Sequence, residues 1–196
     1  MPLSPATSQR AAVLAREVYQ RPRDWLLRHD DNTTWLAIEG TDCAVDWRRN
    51  FEFVFTASDT HAGFANYATR LMAEMLAVGV TFPTRTQLVV TGHSLGGAVA
   101  TIIAAQLQQH IPKLTLVTFG SPRPGGRLFR EQLRFPHYRY VHGDDVVPHL
   151  PMAAFGFRHT VDPIRLPVPN DSILKGIGDH DMDGYLAALY EHHGQT

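Results

Sequence analysis

The chain has too little cysteine to cross-link itself: Cys43 is the only one among 196 residues, so no intramolecular disulfide can form and stability must come from a packed core. It also lacks an excess of charge. A formal net charge of −1 at pH 7 gives no electrostatic case for nucleic acid or for a strongly anionic surface as partner, and no long block of like charge appears. No apolar run approaches the length of a bilayer span. The first twenty residues mix Arg10, Arg16 and Glu17 with alanines where a signal peptide would have an apolar centre, so the expectation is a cytoplasmic protein or one released without a recognisable signal. Internal repeats and low-complexity tracts are missing too. What is present is 44% hydrophobic residues, enough for one substantial core, and a single domain over residues 1–196 is expected.

The most informative stretch is Gln87 to Gln108, which reads strand, sharp turn, helix. Leu88, Val89 and Val90 form a short apolar run, and Ala98, Val99, Ile102, Ile103 and Leu107 resume at once with helical spacing. Between them stands Gly92-His93-Ser94-Leu95-Gly96. A serine on so tight a reversal is held in a strained conformation, and the residues two before and two after must be small to avoid collision; both are glycine. The turn presents the Ser94 hydroxyl at the end of a sheet. It also sets the Leu95 N–H in the first turn of the following helix, where developing negative charge is stabilised.

Along the rest of the chain, Met1 to Gln9 reads as a loose lead-in and Arg10 to Gln20 as a helix ended by Pro22. Leu26-Leu27, a turn at Asp30-Asp31-Asn32 and Trp35 to Ile38 predict a hairpin, and Phe51 to Phe55 an alternating strand. A long amphipathic helix follows His61, with Phe64, Tyr67, Ala68, Leu71, Met72, Met75 and Leu76 on one face. After the elbow helix come a strand over Leu114 to Phe119, a loop over Gly120 to Gly126, a short helix from Arg127, and a strand over Tyr138 to Val141. Phe157 to Leu166 reads as an extended stretch interrupted by Pro163, and a last helix begins near Met182. Strands separated by helices imply a mostly parallel sheet covered on both faces, with ligands bound beyond the carboxyl ends of its strands.

A serine hydroxyl is a poor nucleophile until a base takes its proton, and a histidine oriented by a carboxylate is the usual means. When the serine sits on a strand-elbow-helix turn, acid and histidine follow it in that order. An acid just after a later strand singles out Asp144 and Asp145. For the base, His180 on a late loop suits better than His192 or His193 in the tail. His93 beside the serine points away on so sharp a turn, which predicts a packing role. His137, His142, His149 and His159 show no metal-ligand spacing, so no metal and no cofactor are expected.

These residues together resemble the class 3, or fungal-type, lipases of the α/β-hydrolase fold. The matching marks, in order, are Gly40-Thr41 after an early strand, Asp46-Trp47, His61-Ala62-Gly63-Phe64, the elbow, Thr118 to Arg123, Asp145-Val146-Val147-Pro148-His149, and Asp179-His180. The resemblance implies Ser94 as nucleophile, His180 as base, and Asp145, the residue directly before Val-Val-Pro, as the acid. It implies that the Thr41 N–H joins that of Leu95 in the oxyanion hole. The fold implied is an α/β-hydrolase with a mostly parallel central sheet and helices on both faces, in a compact version. Its lid-like segment would be Asp42 to Asn50, with Ala44, Val45 and Trp47 as the apolar, substrate-facing side. Glu39 departs from the pattern, standing where the family has arginine.

The expected function is hydrolysis of carboxylic esters, acylglycerols or other lipid-like small molecules, through an acyl-enzyme, with at most transient contact with lipid surfaces. Phospholipase A1 or acyltransferase chemistry would use the same three residues. A non-catalytic α/β-hydrolase-like interaction module is the alternative from another class, and it predicts a missing triad member or a blocked elbow.

Overall fold

A computed structural model of the chain describes residues 3–30, 32–40, 54–167 and 178–194. Among them the chain builds a six-stranded sheet in which order in space follows order in sequence. β1 (Trp25–Asp30) and β2 (Thr33–Ile38) form the antiparallel hairpin predicted from the turn residues, with Asp30 paired to Thr33. β3 (Gln87–His93), β4 (Leu114–Phe119), β5 (His137–His142) and β6 (Pro163–Leu166) then add in parallel. A parallel neighbour cannot be reached by a tight turn, so the chain returns over the outside of the sheet between strands.

Alternation of side chains along each strand feeds two cores, one on each face. Leu36, Ile38, Leu88, Val90, Leu114 and Leu116 pack with Phe64, Leu71 and Met75 of one helix and Ile103 of another. The intervening residues Trp35, Ala37, Val89, Val117 and Phe119 pack on the opposite face with Ala11, Leu14, Tyr185 and Leu189. The helices on the second face are α1 (Pro5–Glu17) and, at the end of the described chain, Met182–Gly194; those on the first are α2 (Ala62–Ala77) and α3 (Leu95–Leu107). The short α4 (Arg127–Gln132) adds Phe129 to the first core, and the terminal helix is α5. Leu36, Ile38, Leu71 and Leu88 are fully buried, and truncating any of them to Ala is expected to cost about 2–5 kcal/mol. The mostly parallel sheet with both faces covered is the architecture expected of an α/β-hydrolase fold.

Two local expectations are corrected, and a third lies mostly outside the described residues. Met1 to Gln9 is not a loose lead-in throughout: α1 already begins at Pro5, with Ser4 as its N-cap accepting the Thr7 N–H at 3.2 Å. A serine followed by proline is a helix-start signal, and burial of Ser8 and Ala11 against the sheet extends the helix to it. Within Phe51 to Phe55, residues 51–53 lie outside the described set, and Phe55 makes only an isolated antiparallel bridge to His61. Pro163 does not interrupt an extended stretch but opens β6, where a missing N–H is tolerated at the first position of an edge strand. No helix among the described residues is long and apolar enough to cross a membrane.

The carboxyl ends of β2, β3, β4 and β5 lie side by side and lead into Gly40, Ser94, Gly120 and Asp145.

Candidate active site

Ser94 stands between the end of β3 and the first residue of α3 with φ 55° and ψ −132°. A non-glycine residue rarely adopts that backbone conformation, at a cost on the order of 1–3 kcal/mol. The neighbouring glycines are required by space: a Cβ at Gly92 would run into the Gly96 carbonyl, and one at Gly96 into the carbonyl oxygen of Ile38 on β2. Two backbone hydrogen bonds fix the turn, Ser94 N–H to Phe119 O at 3.0 Å and Gly97 N–H to Ser94 O at 2.9 Å. Leu95 opens the helix, so its N–H belongs to the group that has no partner within the helix.

The two adjacent acids after β5 are in opposite environments: Asp144 is exposed, whereas Asp145 is 1% exposed. The Asp145 carboxylate receives three donors. Val147 N–H reaches Oδ1 at 2.9 Å, while His180 Nδ1 and the Tyr185 hydroxyl reach Oδ2 at 2.8 and 2.6 Å. On the other side of the imidazole, His180 Nε2 lies 2.8 Å from Ser94 Oγ. Because a carboxylate only accepts, Nδ1 carries the proton and Nε2 is left to accept from the serine hydroxyl. Gly120, after β4, makes room for this contact: with φ +56°, it passes so close that a Cβ there would sit 2.8 Å from Asp145 Oδ2 and 3.1 Å from His180 Cε1. Chemically, a hydroxyl, an imidazole and a carboxylate in line can move the serine proton to Nε2 while the carboxylate stabilises the imidazolium.

The structure brings Ser94, Asp145 and His180 together in one hydrogen-bonded line. Other members of the cluster were not legible in the sequence. Tyr185, fully buried on α5, donates to Asp145; burial first and the adjacent carboxylate second push its hydroxyl well above the usual tyrosine range, so it remains a donor. His93 does turn away from Ser94, but it does more than pack. Its Nε2 donates to the His180 carbonyl at 2.7 Å and its Nδ1 lies 3.0 Å from the Tyr19 hydroxyl. Burial, with the neighbouring His180 ring, lowers its pKa to about 3, so it is neutral. The only hint in the sequence is that a histidine ending a buried strand has to bond something.

Three of the remaining histidines have structural partners. His61 caps α2 through the Phe64 N–H, His137 bonds Thr118 and Thr160, and His159 bonds the Pro148 carbonyl. Among the described residues no group of three or more His, Cys, Asp or Glu is arranged to hold a metal ion. Thr41, expected in the oxyanion hole, and Ala44, Val45 and Trp47, expected on the lid, lie outside the described residues. Glu39 is half-buried and its N–H donates to the Asp24 carbonyl at 2.9 Å; the Asp24 carboxylate is paired with Arg70 at 2.6 Å.

Comparison with known proteins gives a consistent picture. The sequence pattern of the family Lipase (class 3) matches residues 35–155. The secreted mono- and diacylglycerol lipase 1 of Fusarium solani is 39% identical over 138 residues, 64% of this chain and 41% of that protein. The chain thus spans about two fifths of the length of this curated relative. Among solved structures, the triacylglyceride lipase of Rhizomucor miehei superposes with a TM-score of 0.66 at 24% identity, covering 82% of this chain and 79% of that one. A triacylglycerol lipase whose catalytic centre is described as a serine protease triad matches with a TM-score of 0.61 at 21% identity, covering 84% of this chain and 79% of the other. At these identities the structures speak for the fold alone.

Proposed function

The chain belongs to the class 3 lipase family, and from that premise we propose that it is a serine hydrolase of carboxylic esters, acting on acylglycerols or similar lipid-like esters. The observation that carries this reading is the pair of 2.8 Å contacts running from Ser94 Oγ through the His180 imidazole to Asp145. Ser94 Oγ attacks the ester carbonyl as His180 Nε2 takes its proton. Asp145 holds the Nδ1–H tautomer and stabilises the imidazolium. The tetrahedral oxyanion is held by the Leu95 N–H at the positive end of α3, with the Thr41 N–H as its expected partner. Collapse breaks the ester C–O bond, and the leaving alkoxide takes the proton from His180. Water then attacks the acyl-Ser94 carbonyl with His180 as base, and the acid and the free serine are released.

The lipid-like substrate class rests on the relatives: the Fusarium solani protein is a mono- and diacylglycerol lipase. Contact with a lipid surface is expected to be transient, because the segment expected to act as a lid, Asp42 to Asn50, has few large apolar residues in its sequence beyond Val45 and Trp47, with the small Ala44 beside them.

Hydrolysis of nitrophenyl esters of increasing acyl length, of emulsified mono-, di- and triglyceride and of phospholipid tests the proposal. Wild type is expected to release acid from the ester series, and Ser94→Ala to fall by at least about 10⁴-fold with its melting temperature kept. A wild type inert on every substrate, or a Ser94→Ala variant that keeps its rate, would sink the reading.

A further inference from the structure

We propose that His93 and His142 form a two-histidine clamp on consecutive backbone carbonyls, and that this clamp, rather than the turn's own hydrogen bonding, sets where the His180 imidazole stands. His180 belongs to a single 3-10 turn, Gly178–His180, too short to hold itself. Its placement comes from side chains remote in sequence. His93, the last residue of β3, donates Nε2–H to the His180 carbonyl at 2.7 Å. His142, the last residue of β5, lies with Nδ1 3.3 Å from the carbonyl of Asp179. The two strands flank β4, so the histidines reach the turn from either side of the strand that ends at Gly120.

Three further observations fit a built device. The Tyr185 ring stands edge-on to both histidines, 5.7 Å and 64° from His93 and 5.6 Å and 63° from His142, while its hydroxyl bonds Asp145. A carbonyl only accepts, so the contacts require the Nε2–H form of His93 and the Nδ1–H form of His142. The first is supported from behind by the Tyr19 hydroxyl at Nδ1, and the second leaves Nε2 of His142 buried without a hydrogen-bond partner among the described residues. A buried acceptor left unpaired is retained at a cost; a site needing only shape would be filled as well by an apolar ring. The His93 and His180 rings also lie 4.6 Å apart, which ties the orientation of one to the other. His93 and His142 are positioning residues: neither contacts the Ser94 hydroxyl.

The two histidines donate from different ring nitrogens, and this makes the clamp testable by chemistry as well as by loss. Gln offers an amide N–H near the place of Nε2, and Asn one near the place of Nδ1. The proposal rests on the ester-hydrolase reading, so kcat and KM on a short-chain nitrophenyl ester are measured together with the downfield proton NMR signal of the His180 Nδ1–H bonded to Asp145, which needs no turnover. His93→Leu is expected to lower kcat about 100-fold with KM within about two-fold, in keeping with a misplaced base. His93→Gln should return to within about five-fold of wild type while His93→Asn stays low. At the longer contact, His142→Leu should lose about ten-fold, with Asn and not Gln restoring it. The NMR signal should broaden or vanish in the Leu variants and return in the matched amides. If His93→Leu fails to give a cooperative thermal transition, the Gln and Asn pair at position 93 carries the test. Equal rates and equal spectra for Gln and Asn at position 93, or a Leu variant there within about three-fold of wild type, would overturn the clamp. A wild type silent on all esters that still shows the signal and its Gln rescue would defeat the hydrolase reading and leave the clamp standing.

Discussion

The turn that carries Ser94 and the turn that carries His180 meet across a 2.8 Å contact, yet they are held by different means. The elbow is mainly a local construction: Gly92 and Gly96 leave the space, the helix starts at once, and the strain at φ 55° is imposed by a strand and helix on either side. Among the described residues, the His180 turn has few bonds of its own. Its carbonyls are taken up by His93 and His142, its Asp179 carboxylate accepts the Asp144 N–H at 2.9 Å, and its imidazole is gripped by Asp145. A nucleophile can be fixed by a short segment because only one hydroxyl has to be exposed. A base has to bridge two partners at once, and that requires several elements to agree.

This contrast can be broken from either side. The largest effect is expected at the carboxylate: Asp145→Asn removes the acceptor that selects the His180 tautomer and should lower kcat about 10⁴-fold. The exposed neighbour Asp144→Asn should stay within about two-fold in the same assay. Equal losses from both would mean that the division between the two acids is drawn wrongly.

On the elbow side, Gly96→Ala forces a methyl group against the Ile38 carbonyl and should destabilise the protein by roughly 3 kcal/mol in urea unfolding. A loss under about 1 kcal/mol would show that the elbow has slack.

Acid should act through the other turn. Folded His93 stays neutral down to about pH 3, whereas an unfolded histidine takes up a proton near 6.5. Between those values the unfolded state binds more protons, so stability is fully present above about pH 6.5 and falls as pH drops, by about 1.4 kcal/mol per pH unit for this one group. Burial depresses His137 and His159 in the same direction, each to about 3, and steepens the fall. Replacing His93 by Gln should flatten the dependence of the unfolding midpoint between pH 6.5 and 5 by the equivalent of one proton; an unchanged slope would exclude His93 as a contributor. The smallest effect has the opposite sign. Ser94→Gly relieves the strained backbone and should raise stability by about 1 kcal/mol while abolishing turnover, since the release of strain exceeds the entropy glycine adds to the unfolded chain.

Much of the fold was legible because its apolar residues are patterned. Leu88 to Val90 and Leu114 to Phe119 read as strands because they are short apolar runs, and the pleat then sends Leu88, Val90, Leu114 and Leu116 to one core and Val89, Val117 and Phe119 to the other. The start of α1 was missed although Ser4-Pro5 is a cap signal, because Met1 to Gln9 carries too few apolar residues for periodicity to register. At the site, Ser94 announced itself through the flanking glycines. Tyr185 did not, since a tyrosine on the inner face of a terminal helix reads as core until its hydroxyl is seen to reach Asp145.

By itself the sequence determined the sheet's strands, the strained serine between a strand and a helix, and, by family order, which acid and which histidine should join it. Only the tertiary structure decided how His180 is held. Positions 93, 142 and 180 are far apart along the chain, and hydrogen bonds to backbone carbonyls leave no mark on the residues that accept them. A carbonyl is the same group at every position, so its partner is chosen by where the chain passes and not by what the residue is.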